Sequence, residues 1–180
     1  MSCCARLNLT STMSSALQRQ LHPLLWDAVR NEPFLRLPEP LSHIIITPPR
    51  PSDAEEMIGP LNDPRVFNGL QSPPWPFTPE NGAAWTGKLM VAWHEQLKQL
   101  EDIAAQGEDA PLSPIGFCPV RCLRDATTEK QTFLGDFQLA RVRFDWEANE
   151  EKRRELVEAN EALPAADPAI VYTIGCKEHP

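Results

Sequence analysis

The stretch His43-Ile-Ile-Ile-Thr-Pro-Pro-Arg-Pro-Ser-Asp-Ala-Glu-Glu-Met-Ile-Gly-Pro-Leu-Asn-Asp-Pro-Arg-Val-Phe67 reads as a short buried strand, a hard turn, a capped helix and a hard stop. Ile44, Ile45 and Ile46 are β-branched and continuous, the pattern of a strand buried on both faces. Pro48 and Pro49 end it by removing backbone donors. Ser52-Asp53-Ala54-Glu55 has the spacing of a capping box. Met57, Ile58 and Leu61 then supply a short apolar helix face, and Asn62-Asp63-Pro64 closes it.

Upstream, Ser15 to Val29 predicts a helix with Leu17, Leu21, Leu24, Leu25 and Ala28 on one side, interrupted by Pro23. Asn31 to Pro40 reads as a linker ending in the extended Phe34-Leu35-Arg36-Leu37. The chain is therefore divided into an N-terminal helical extension and linker, residues 1–35, and one domain, residues 36–180. Downstream, Pro73-Pro-Trp-Pro-Phe-Thr78-Pro79 is a stiff loop ending in a good N-cap and a proline at the first helical position. A long helix follows to about Ala105, with Trp85, Leu89, Trp93, Leu97, Leu100 and Ala104 on one stripe. Ile115 to Leu123 and Thr132 to Phe144 read as strands about a polar turn, the second bent near Leu139, where its buried parity changes. Glu147 to Leu163 is a charged helix, and Ala169 to Ile174 a last strand.

The 180 residues suit one domain, and 42% hydrophobic with 23% charged residues is ordinary for a globular protein. Twelve of the nineteen prolines lie between Pro33 and Pro79, so turns and extended segments concentrate there. A net charge of −8 argues against a broad contact with nucleic acid or an anionic membrane. The acidic run from Glu147 to Glu161 reads as a solvated helix face. Five cysteines in odd number, with no framework spacing and no apolar leader, point to a reducing compartment and a cytoplasmic location. Arg6 and Arg19, ahead of the first acidic residue Asp27, keep a mitochondrial presequence as the alternative.

Motifs with chemical meaning are few. Gly82-Ala-Ala-Trp-Thr-Gly87-Lys88 has phosphate-loop spacing, but no strand leads into it and Leu89 stands where a metal-binding hydroxyl belongs. Its glycines are expected to mark close helix packing. Cys118 and Cys122 read as small buried hydrophobes; zinc would need Cys176 and His179 as well. His22, His43 and His94 are widely separated, and no local signature marks a Cys–His pair. Asp136, in an apolar strand, is the candidate base if buried among Phe and Leu; the alternative is an exposed carboxylate or one bonded to a neighbouring amide. Trp75 and Phe77 are candidates to line a substrate mouth, or else form a lid packed on the core.

Five pieces taken in order resemble GNAT-type N-acetyltransferases, RimJ/RimL-like and fungal ones in particular. They are Ile45-Ile-Thr-Pro-Pro-Arg-Pro-Ser-Asp-Ala-Glu55, Asn62-Asp-Pro-Arg-Val66, Pro73-Pro-Trp-Pro-Phe-Thr78, Phe133-Leu-Gly-Asp-Phe137 and Val171-Tyr-Thr-Ile-Gly175. The resemblance implies a mixed α/β fold, a partial acyl-CoA N-acyltransferase domain with a largely antiparallel sheet flanked by helices. It implies acetyl transfer from acetyl-CoA to an amine, with the cofactor's pantetheine arm along the backbone of Tyr172, Thr173, Ile174 and Gly175. In that family a glycine-rich turn into a helix takes the pyrophosphate; this sequence contains none, so the 180-residue chain is expected to carry the front of the fold and to be inactive alone. Two other expectations stand beside it: an interaction fragment that self-associates through its exposed last strand, and a metal-binding module. The acceptor amine is not specified.

Overall fold

The computed structural model describes residues 13–70, 73–112, 118–164 and 166–175. Helix α1 (Ser15–Leu21) starts at Ser14, whose hydroxyl accepts from the Leu17 amide at 3.2 Å. It stops before Pro23 rather than reaching Val29, and the chain turns into strand β1 (Leu25–Asp27). The Asp27 carboxylate accepts from the Val29 and Arg30 amides, which tightens the turn into strand β2 (Glu32–Arg36). Burial alone would raise the Asp27 carboxyl; those two amides and the Arg30 guanidinium outweigh it and hold the group below its ordinary value.

The extended end expected of the linker is therefore a sheet strand, and it begins earlier, at Glu32. β2 pairs antiparallel with β1 and with β3 (Ile44–Thr47), so the boundary placed at residues 35/36 falls inside a sheet strand. Main-chain bonding to both neighbours overrides the weak strand signal of Glu32-Pro33-Phe34-Leu35-Arg36. β3 is central as expected: Ile45, Ile46 and Thr47 are all buried.

After Pro48 and Pro49 come three short helices, α2 (Asp53–Glu56), α3 (Ile58–Asn62) and α4 (Pro64–Phe67). The predicted capping box does not form. Ser52 has helical backbone angles and makes no side-chain cap bond; the Asp53 carboxylate instead accepts from the Arg50 amide at 2.8 Å. Helix α5 (Pro79–Ala104) is capped by Thr78, in a box completed by Asn81. The N-terminal part of α5 packs on α2. At Gly82 an added Cβ would land on the Ala54 carbonyl oxygen, so the close helix packing expected of the glycines occurs there; at Gly87 nothing lies near. The C-terminal part packs on α1, where Leu100 and Ala104 meet Ala16, Leu17 and Leu21.

Strand β4 (Cys122–Asp125) pairs with β3 and with β5 (Thr132–Asp136), completing an antiparallel sheet of order β1-β2-β3-β4-β5. Of the strand predicted over Ile115 to Leu123, residues 115–117 lie outside the described ones, and the strand itself runs on to Asp125. The bend expected near Leu139 falls two residues earlier, at Phe137. Gly135 there has φ +151°, a conformation that disfavours a side chain. Beyond it β6 (Gln138–Arg141) leaves β4 and pairs antiparallel with β7 (Tyr172–Gly175). Helix α6 (Glu150–Ala162), capped by Asn149, lies between these two strands in sequence. A second core of Met57, Phe77, Cys122 and Phe133 sits between the sheet and the short helices. The class is mixed α/β with an antiparallel sheet. No helix among the described residues is long and apolar enough to cross a membrane.

Candidate functional site

The candidate base, Asp136, ends β5 opposite Cys122. It is not a lone carboxylate among apolar rings: Arg121 Nη2 donates to its Oδ2 at 2.8 Å, and the Arg121 side chain is almost wholly buried. Arg121 also stands at the strand break through its backbone. Its amide donates to the Thr47 carbonyl and its carbonyl accepts from Phe137, the last bond before β6 departs. The ion pair thus sits where the two sheets diverge and fixes the direction of β5 there.

A second buried charge was not expected from sequence. Arg124 and Asp53 are 1% exposed each, and Arg124 Nη2 lies 2.8 Å from both Asp53 oxygens. Arg124 Nε donates to Thr47 Oγ1 at 2.7 Å, and its guanidinium lies 5.7 Å from the centre of the Phe133 ring. Buried ions need such complete partnering to offset desolvation. Two further links run parallel to it. Arg50 bonds Glu32 and Gln131, and Glu56 accepts from the Phe133 amide at 3.1 Å. Together they fasten the turn after β3 and α2 to β2, β4 and β5. The available signal was parity: Cys122 and Arg124 share the buried face of β4, while Leu123 and Asp125 are only half-buried.

Cys122 is a packed thiol. Burial first, and the nearby Asp53 carboxylate second, push its ionisation well above the ordinary range, so a thiolate nucleophile is disfavoured. Cys118 is half-buried and also raised by burial, and its Sγ bonds the Val120 carbonyl at 2.9 Å. His22, His43 and His94 are exposed and lie on different elements. Among the described residues no group of three or more His, Cys, Asp or Glu side chains could hold a metal; Cys3, Cys4, Cys176 and His179 lie outside them.

The two aromatic candidates separate. Phe77 is buried in the second core, which places it as packing rather than at a substrate mouth. Trp75 is exposed, and its ring lies tilted 5.7 Å from Phe67. Asn62 fixes the loop that carries both. Its Oδ1 accepts from the Phe77 amide and its Nδ2 donates to the Phe77 carbonyl, each at 2.8 Å, so one side chain imitates a strand partner.

Asn160, on α6, makes the same kind of clamp, bonding the amide and the carbonyl of Val171 at 2.9 Å. It ties α6 to the start of β7. The Val142 amide also donates to the Val171 carbonyl, which sets the phase of the β6–β7 ladder. Thr173 and Gly175 then face Ala140 and Gln138 as hydrogen-bonded pairs, while Tyr172 and Ile174 turn their N–H and C=O groups to the open edge. Of the four positions expected to touch a cofactor, the backbones of Thr173 and Gly175 are therefore engaged with β6; those of Tyr172 and Ile174 are outward. Among the described residues β7 pairs only with β6, and all four of its residues are exposed. An open groove of about 850 Å³ beside α6, lined by Arg143, Asp145, Glu150, Arg153, Arg154 and Val157 among others, mixes both signs of charge and selects no ligand class.

Compared with protein-family models, with curated proteins and with solved structures, the chain matches none.

Proposed function

We propose that this chain carries the strand–helix front of an N-acetyltransferase-type domain, in which the open edge of β7 lies along the pantetheine arm of acetyl-CoA. From β3 onward the order of elements supports the reading: β3; a helical layer ending in the long α5; then β4, the bent β5–β6, helix α6 and β7, every strand pairing antiparallel. The observation that carries it is the pair of outward-facing backbone amides at Tyr172 and Ile174, which suit the two amides of a pantetheine arm. Acetyl-CoA supplies the thioester that an amine attacks. The chain's own contribution is main-chain hydrogen bonds from Tyr172 and Ile174, with Asn160 holding β7 and the Arg121–Asp136 pair fixing the end of β5, from which the chain leaves into β6. Asp136 stands near the Gly175 end of β7 and is the carboxylate offered to an incoming amine. The fit to the cofactor is partial. The sequence has no glycine-rich turn to take a pyrophosphate.

Affinity of the 180-residue chain for acetyl-CoA is accordingly expected to be weak and confined to β7. Titration with acetyl-CoA, followed residue by residue through amide chemical shifts, tests this. Changes should concentrate at Tyr172 and Ile174 and saturate only at millimolar ligand, about the 1 mM that corresponds to 4 kcal/mol of binding. Changes centred elsewhere, or none at that concentration, would remove the reading.

A further inference from the structure

We propose that β7 is a self-pairing edge: it joins β7 of a second copy of this chain, antiparallel, about a two-fold axis at Thr173. This goes beyond the acetyl-CoA reading and does not rest on it: self-pairing takes up the same outward groups of Tyr172 and Ile174, so the two occupants exclude each other on one strand. The outward N–H and C=O groups belong to Tyr172 and Ile174, two residues apart on either side of Thr173. Rotation about Thr173 brings Tyr172 of each copy opposite Ile174 of the other. Both residues then exchange N–H and C=O, and no outward group of the strand is left unpaired.

The side chains agree with that register. Tyr172 and Ile174 lie on one face of the strand, together with Leu139, and are 49% and 72% exposed. Pairing sets each Ile174 beside a Tyr172, an aromatic–β-branched cross-strand pair of the favourable kind. No charged residue occurs from Pro168 to Cys176, so the strands meet without like-charge contact despite a chain charge of −8. Edge strands that avoid pairing normally carry lysine, proline or a bulge. β7 carries none of these over Tyr172–Gly175. An isologous contact of this kind closes as a dimer. Its small extent makes it a weak one, dependent on concentration.

The full 180-residue chain in sedimentation equilibrium, loaded from about 10 to 1,000 μM, should show mass rising from one chain toward two. Ile174→Lys should remove that rise, while Val91→Lys, at an exposed apolar position on α5, should leave it intact. Circular dichroism of each variant controls for folding. The register is read separately in a background with Cys3, Cys4, Cys118 and Cys176 replaced by serine. There Thr173→Cys should form an intermolecular disulfide, since directly opposed non-hydrogen-bonded residues lie ~4.5 Å apart. Tyr172→Cys, which faces Ile174 of the other copy, should not. A constant single-chain mass over the whole range, association that survives Ile174→Lys, or equal cross-linking of the two cysteine variants would each overturn the proposal.

Discussion

Arg124 and Asp53 form an ion pair with one guanidinium nitrogen 2.8 Å from both carboxylate oxygens, in a place where neither side chain is more than 2% exposed. They lie 71 residues apart in sequence, on β4 and at the start of α2. Removing one partner leaves the other charged and buried. Asp53→Ala should destabilise the fold by about 3–5 kcal/mol, whereas the double variant Asp53→Leu/Arg124→Met should recover most of that loss. Urea unfolding of the single and double variants measures it. Additive losses would show that the two groups do not act as a pair.

Asn160 and Val171 make the second prediction. Asn160→Ala leaves the Val171 amide without its partner, while the Val171 carbonyl keeps its bond from Val142. The expected cost is about 1–3 kcal/mol, felt locally. Hydrogen exchange should quicken at Ala140 and Thr173 and stay unchanged in β3 and β4. Asn160→Asp keeps the acceptor for the Val171 amide and should lie between wild type and Asn160→Ala. Uniform loss of protection across both sheets would contradict a local clamp.

Two glycines of α5 should respond with opposite sign. Gly82→Ala drives a methyl into the Ala54 carbonyl, backbone that cannot swing away, and should cost about 1–3 kcal/mol. Gly87→Ala meets nothing and should gain about 0.5–1 kcal/mol from the lower entropy of the unfolded chain. Thermal melts of the two variants settle the signs; a neutral Gly82→Ala would mean that α2 and α5 can separate freely.

Cys122 sets an alkaline limit. Burial, helped by Asp53 and opposed by Arg124, raises its ionisation in the folded chain above that of the unfolded chain. The folded chain therefore keeps a proton that the unfolded chain releases, and stability must fall as pH rises past the ordinary thiol value of about 8.5. The slope contributed by this one group approaches about 1.4 kcal/mol per pH unit. Below pH 8 the contribution is fully present and constant. Wild type should accordingly lose its margin over Cys122→Ala between pH 8 and 10, measured by urea midpoints at each pH. Parallel curves would show that the thiol is not held protonated.

Local signals were read well where a few adjacent residues decide the outcome. Ile44-Ile45-Ile46 before two prolines is a buried strand because β-branched side chains and missing donors act at that point. Thr78-Pro79 starts α5 because its first-turn amides need a partner within three residues. Ser52 shows the limit of such reasoning. Its capping spacing is right, but Asp53 takes over the turn while bonded to a guanidinium on another strand. Phe34 to Leu37 read only as the extended end of a linker; bonding to β1 and β3 from either side makes Glu32–Arg36 a sheet strand. Phe77 looked like Trp75 in sequence, yet one ring entered the core and the other stayed outside.

The sequence by itself determined the alternation of helix and strand from β3 onward, the mixed α/β class and the uncharged last strand, because periodicity, caps and composition are properties of contiguous residues. Only the tertiary structure decided which polar groups meet: Arg124 with Asp53, Arg121 with Asp136, Asn62 with Phe77 and Asn160 with Val171. It also decided which backbone groups of β7 face outward. Hydrogen bonds and ion pairs act over about 3 Å, and a chain brings distant residues within that reach only when its sheets and helices have packed.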